Sequence, residues 1–412
     1  MTEYLSLQKL YYRDKTNERF ANSQAEATKR LYEPSTFRTG IETENGELFL
    51  AMPRQLSTLS ERLLRVERRV SRLWRNLPGI AQWAYLRGLI INEIVCNNDI
   101  EGVNSTRRQI EAALAATGSQ LATAKTKRFR EFARLYLQLT DNDHIYPQTP
   151  ADIRGIYDAV VASELEKHLH PDGELFRKDA VVILSPAQKV IHQGVIPEAK
   201  IYRMLEQMIE LVGSSDIPPT YAAIISHYLF EYIHPFYDGN GRLGRYLLSL
   251  YLSEPLSIAT ILSLSAIIAD NKAKYYRAFS DAESQMNYGE MTFFVIQIME
   301  FIRLAQDALI EDLEKKIVLL SLVEESLESL DNQPYALTAG EKDVIYIVAQ
   351  YHLFNIFSEI SLSDINENSK YATQAIRKRT ISLEQKGLLR TISRKPLVFE
   401  LTENALAVLQ LL

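Results

Sequence analysis

The sequence predicts a mainly α-helical protein, with one β-hairpin in its helical middle and a small helix-and-hairpin domain at its C-terminal end. Three observations carry this. Most of the 412 residues lie in segments whose apolar positions recur at three- and four-residue spacing. The 16 Gly and 14 Pro cluster at a few punctuation points, too few for a fibrous or disordered chain. In the helical middle, β-branched runs with a turn between them occur at residues 180–184 and 189–196.

The length suggests two to four domains. With 46% hydrophobic and 24% charged residues the composition is that of an ordinary globular protein. A net charge of −6 argues against a nucleic-acid coat but leaves room for one basic domain. The single cysteine, Cys96, excludes an internal disulfide framework and fits a reducing compartment. The first residues lack the basic-then-apolar pattern of a signal peptide. The most apolar run, 256–268, is short and interrupted by Ser257, Thr260, Ser263 and Ser265, so no membrane association is expected. The expectation is a soluble cytoplasmic protein.

The elements follow in order. Residues 13–47 are polar and poorly periodic, and read as irregular. A basic amphipathic helix is expected over 55–77, its Arg-rich side a solvated face. A helix over 80–97, a turn over 99–106 and a helix over 107–117 come next. Thr149 is a good N-cap, Pro150 suits the first helical position, and Asp152 favours the positive end of a helix starting there. The hairpin turns at Ser185-Pro-Ala187. Helices are expected over 198–212 and 219–233, and a long charged connector over 304–330. The domain boundaries read as 1–89, 90–310, 311–334 and 335–412.

The chemistry concentrates in His234-Pro-Phe-Tyr-Asp-Gly-Asn-Gly-Arg-Leu-Gly-Arg245. Pro235 disfavours helical geometry for its predecessor, so His234 sits at a helix C-terminus beside a loop. Gly239, Asn240 and Gly241 are the residue types that most readily take positive φ, and a second helix starts there, over 240–252. Backbone N–H groups in such a turn form an anion nest. Arg242 and Arg245, three apart, project from one face of the first turn. Asp238 at the mouth of the loop is placed to hold Mg²⁺ beside polyphosphate. His234 can take a proton from an incoming hydroxyl. Nucleotidyl transfer needs this set, because positioning and charge neutralisation supply most of its catalysis.

This run resembles the signature of the Fic family, His-Pro-Phe-x-x-Gly-Asn-Gly-Arg-x-x-Arg, and meets every fixed position. Glu231-Tyr-Ile-His-Pro-Phe236 is similar to the family's approach to the motif. Gly173-Glu-Leu-Phe-Arg177 resembles the turn before the family's flap hairpin. Tyr275 and Tyr276 look like the aromatic pair near its adenine pocket. The likeness covers roughly residues 90 to 310.

The resemblance implies a protein adenylyltransferase that moves AMP from ATP to a Ser, Thr or Tyr hydroxyl of a target protein, with self-modification as a variant. His234 would be the base and Asp238 the ligand of Mg²⁺, or of Mn²⁺ in its place. Gly239, Asn240, Gly241, Arg242 and Arg245 would hold the phosphates, and Tyr276 would line the adenine pocket. A phosphorylating relative has Lys at the position of Gly241, which favours AMP transfer here, although another nucleotide or a phosphocholine donor stays open. Asn97-Asn-Asp-Ile-Glu-Gly102 is similar to the family's inhibitory helix. Glu101 would restrain the site by pairing with Arg245. Asn97 replaces the usual hydroxyl residue; it can still hydrogen-bond, and a helix held less firmly there would give leaky activity. Removal of AMP by water, oriented by Glu101, is a further reading.

Thr338-Ala-Gly-Glu341 is a capping box opening a helix to about residue 354. Further helices over 361–366 and 370–385, then strands over 388–393 and 397–401, resemble a winged helix-turn-helix. Lys370, Arg377, Lys378, Arg379, Lys386, Arg390, Arg394 and Lys395 crowd this stretch, with Glu384 the only acid among them. Such a local reversal of charge is the footprint of phosphate-backbone contact, so DNA is a candidate partner, against docking to protein or a homodimer. An ATP-sensing, DNA-binding regulator is thus the rival reading.

Overall fold

The computed structural model describes residues 4–118, 124–140, 145–161, 165–184, 190–330 and 335–412. It is mainly helical and divides into two compact units, residues 1–67 with 91–306 and residues 68–90 with 307–412. These cuts fall within helices and not at the boundaries drawn from sequence. Three long helices run from one unit into the other: α3 (Arg54–Arg75), α4 (Gly79–Ile100) and α14 (Thr292–Ser329).

The first unit opens with α1 (Leu7–Arg13), α2 (Arg19–Leu31) and the antiparallel pair β1 (Phe37–Thr43) and β2 (Gly46–Leu50). The irregular stretch expected over 13–47 is therefore a helix and a hairpin. Buried Arg30 on α2 pairs with buried Glu290 at 2.9 Å and donates to Leu5 O, so polar residues tie this region down. After α3 and α4 come α5 (Arg107–Ala115) and α6 (Ala124–Thr140), the second unforeseen, then α7 (Pro150–Val160). Thr149 and Asp152 form a capping box at the start of α7, with Pro150 at its first position.

The hairpin β3 (Val182–Leu184) and β4 (Val190–Gln193) is antiparallel, and its expected turn at 185–187 lies outside the described residues. Helices α8 (Glu198–Gly213), α9 (Pro219–Ile233) and α10 (Asn240–Leu252) follow. They pack in sequence, and almost every residue of α9 and α10 is buried. Short helices α11 (Ile258–Ile261), α12 (Leu264–Asp270) and α13 (Lys272–Ala282) lead to α14, which starts earlier than the connector expected from sequence. Glu67 of α3 accepts from Ser257 N, Thr260 Oγ1 and Gln306 Nε2, so this buried carboxylate staples three segments of the unit.

In the second unit, α15 (Ala339–Phe354) begins at the Thr338–Glu341 capping box. Then come β5 (Glu359–Ser361), α16 (Leu362–Glu367), α17 (Thr373–Gln385), β6 (Leu389–Arg394), β7 (Leu397–Leu401) and α18 (Glu403–Val408). The sheet order is β5-β7-β6, antiparallel throughout. Among the described residues, no helix is long and apolar enough to cross a membrane.

Candidate active site

Helix α9 ends at His234, which adopts a left-handed φ of 51°. This is an uncommon conformation for a non-glycine residue, and it persists only where surrounding bonds over-determine it. Here they do. His234 N–H donates to Phe230 O at 2.9 Å. The buried guanidinium of Arg177 donates through Nε to His234 O at 2.8 Å, through Nη2 to Val195 O and Ile233 O, and through Nη1 to Asp179 O. A cation at the C-terminal carbonyls of α9 also suits the helix dipole.

The His234 ring has Glu231 O at 3.3 Å from Nδ1. A carbonyl only accepts, so Nδ1 carries the hydrogen and Nε2 is left with the free lone pair. Burial, then the neighbouring His192, hold the imidazole well down, to about 4. It is therefore an unprotonated base at neutral pH.

The loop after His234 is braced from within. Phe236 is fully buried, stacked on Tyr157 with ring centroids 3.6 Å apart. Asn240 Oδ1 accepts from Phe236 N–H and its Nδ2 donates to Phe236 O, so the amide side chain closes the loop and is not aimed at a ligand. Of the three residues expected to favour positive φ, only Gly239 adopts it, at 81°. A Cβ there would also meet Val161 at 2.6 Å. Asn240 and Gly241 are already the first turn of α10, which has no side-chain cap. Its first N–H groups therefore remain open to an anion.

Asp238 is exposed, and its Oδ1 accepts from Gly239 N–H at 2.6 Å. No cluster of three metal-ligating side chains occurs among the described residues. A lone exposed carboxylate beside an anion nest fits Mg²⁺ better than metals needing a protein cage, since Mg²⁺ keeps waters and takes phosphate oxygens for its other ligands.

Arg242 and Arg245 are both buried. Arg245 donates through Nε to Asn97 Oδ1 at 2.8 Å and through Nη2 to Asn97 O at 3.2 Å. Asn97 Nδ2 in turn contacts Arg242 O and Tyr136 Oη, each at 3.3 Å. Asn97, in the place of a hydroxyl residue, thus still bonds at the end of α4. The longer amide spans α6 and α10 together.

Glu101 follows directly on α4. Its Oε1 lies 2.8 Å from Nη2 of Arg245, whose side chain is only 2% exposed against 31% for Glu101. A Cβ on Gly241 would fall 2.2 Å from the same oxygen. The carboxylate thus sits both on the guanidinium and over the open N-terminal turn of α10. Glu231, three residues before His234, is the acid that sequence reasoning passed over. Its Oε1 is buried without a hydrogen-bond partner. Burial, then the Glu101 charge, push its carboxyl up to about 8, so it is protonated at neutral pH. Tyr276 is 44% exposed and its Oη reaches Ile100 O at 3.4 Å, beside the Glu101 turn. Its neighbour Tyr275 is buried and bonded to His227 Nε2 at 2.8 Å.

Residues 147–252 match the Fic/DOC family. Within a mainly helical fold, the chain is thus similar to Fic domains over residues 147–252. It is 35% identical over 112 residues to a probable protein adenylyltransferase of Aquifex aeolicus, which covers 26% of this chain and 30% of that relative. The chain thus matches about a third of the length of that curated relative. A Fic family protein from Desulfovibrio desulfuricans shares the fold with a TM-score of 0.51 at 18% identity, covering 86% of this chain and 97% of the other. A Fic-domain signalling protein from Bacteroides thetaiotaomicron aligns over 60% of this chain and 94% of its own, at 16% identity and a TM-score of 0.44.

Proposed function

We propose that this protein transfers AMP from ATP to a Ser, Thr or Tyr hydroxyl of a target protein, and that Glu101 restrains it. One arrangement carries the reading: a neutral histidine with Nε2 free, next to an uncapped helix N-terminus whose second arginine is held by Asn97 and covered by Glu101. The target oxygen attacks the α-phosphorus as His234 Nε2 takes its proton, and the bond to pyrophosphate breaks. Gly239, Asn240 and Gly241 hold the phosphates through backbone, with Arg242 and Arg245 neutralising them. Asp238 would hold Mg²⁺, which adds positive charge against the same phosphates. Tyr276, at the rim, would face the adenine. The likeness to the probable protein adenylyltransferase of Aquifex aeolicus supports the same chemistry. The test is a Glu101→Gly variant incubated with α-labelled ATP, Mg²⁺ and a lysate. Labelled protein is expected, and the variant incubated alone reports self-modification. No label with either Mg²⁺ or Mn²⁺ would refute the reading.

We propose secondly that residues 335–412 form a winged helix that contacts DNA. Arg377 and Lys378 on α17 and Arg394 and Lys395 at the β6–β7 turn are exposed, which suits phosphate contact by a helix and a wing. A gel shift at low salt tests it. Absence of any shift would leave protein docking or a homodimer, which light scattering distinguishes.

A further inference from the structure

Strand β4 brings a second histidine beside the base. His192 is buried, and its ring centroid lies 6.2 Å from that of His234. Its Nε2 is 2.8 Å from Tyr232 O, and its Nδ1 is 2.9 Å from Oε1 of Glu283, just past the end of α13. A backbone carbonyl can only accept a hydrogen bond, and so can an ionised carboxylate. A neutral imidazole has one N–H, so it would leave lone pairs facing each other at one of the two contacts. Both are satisfied when the ring carries hydrogens on both nitrogens, with Glu283 balancing the charge.

We propose that His192 is a positioning residue for this site: as an imidazolium clamped between Tyr232 O and Glu283, it fastens the hairpin to α9 and opposes protonation of the adjacent His234 ring. A cation at this distance opposes a second one. The groups facing His192 are Glu283, Tyr232 and His234. Those around His234 are Arg177, Glu101 and Glu231 as well as His192. Burial is the leading cause of the depressed basicity of His234, and His192 is the next. The clamp also fixes the strand whose continuation, Val195, donates to Ile233 O at 3.0 Å immediately before the base.

This inference rests on His234 being the base, so its test begins with the rings themselves. In the full chain with ¹⁵N-labelled histidine, His192 should show both ring nitrogens protonated at pH 7. His234 should show a neutral ring with the hydrogen on Nδ1. His192→Gln keeps a donor for Tyr232 but removes the cation, and the His234 titration should move up by roughly half to one pH unit. His192→Lys, which keeps a cation, should leave it near the wild-type position. A single N–H on wild-type His192 at pH 7 would overturn the proposal even if neither variant folds, as would an unmoved His234 titration in a folded His192→Gln protein. In a Glu101→Gly background, the acid limb of AMP transfer should follow the His234 titration. Absence of all transfer there would count against the proposed reaction, while the ring measurements would still decide the role of His192.

Discussion

Replacing Glu101 by Gly tests the restraint and the architecture together. The carboxylate is one of several acceptors around Arg245. Without it, the guanidinium still donates to Asn97 Oδ1 and Asn97 O, so no buried cation is left bare. Stripping a partner from a fully buried pair costs roughly 3–5 kcal/mol, whereas exposed pairs contribute about 0–1 kcal/mol. With Glu101 31% exposed and Arg245 otherwise bonded, the loss should be about 1 kcal/mol, a small displacement of the melting curve. The effect on chemistry should be far larger. Glu101 Oε1 occupies the space within 2.2 Å of where a Gly241 Cβ would stand, so phosphates and carboxylate cannot share the turn. ATP bound beside it would be displaced, and a misplacement of about 1 Å costs about 10²-fold in rate. Transfer of label from α-labelled ATP should therefore rise about 10²-fold in the variant. Because Asn97 holds the end of α4 firmly, basal activity should be low and the gain large. Glu101→Gln, which keeps volume but loses charge, should fall between the two. A folded Glu101→Gly protein with wild-type transfer and wild-type ATP affinity would refute the reasoning.

His234→Ala should lower transfer by about 10²–10⁴ while calorimetry still detects ATP binding, because on the proposed reading the phosphates would be held by α10 and not by the base. The raised carboxyl of Glu231 makes a signed prediction about stability. Its folded value of about 8 exceeds the ordinary 4.5, so its contribution is present in full below about 4.5 and is lost as pH rises through about 8. The melting temperature of Glu231→Gln relative to wild type should accordingly increase from pH 5 to pH 9, and a constant difference would contradict the assignment. If the C-terminal unit binds DNA, Arg377→Ala with Lys378→Ala should weaken binding for all sequences and reduce its salt dependence, read by fluorescence anisotropy across a salt series.

What was legible in the sequence were the elements fixed by local chemistry. Pro219 and Pro235 bracket α9, the glycines set the start of α10, and the Thr338–Glu341 box sets the start of α15. What was not legible depends on partners distant in sequence. The β1–β2 hairpin looks irregular because much of it is polar, and its Arg38–Glu47 pair forms only across the two strands. The basic run from Lys370 to Lys395 seemed nearly uncompensated by its own acids. In the fold Lys370 pairs with Asp343, Lys386 with Glu341 and Arg390 with Glu400, and Arg379 lies over the Tyr371 ring. Arg379 thus belongs to the packing of its unit, and replacing it would report on stability before DNA. At the site, the motif names residues that the end of α9 and the start of α10 bring together, but the contacts of Asn97, Arg177 and Glu231 could be seen only once α4, the hairpin and α9 met.

A common logic links the two groups to which the proposed reading gives the chemistry. Arg245 is positioned by two oxygens of Asn97, both neutral. His234 is positioned by Arg177, whose guanidinium is itself satisfied by four carbonyl oxygens with no carboxylate among them. Neutral acceptors fix a cation in place without cancelling its charge. Had Arg245 been held by a buried carboxylate, phosphates would have had to break that pair or meet a neutralised group. As built, among the described residues its ion pair is with Glu101, a carboxylate whose side chain is 31% exposed to solvent. On the proposed reading, phosphate oxygens would replace Glu101 while Asn97 keeps the guanidinium in register, so relief of the restraint and assembly of the binding site would be the same exchange.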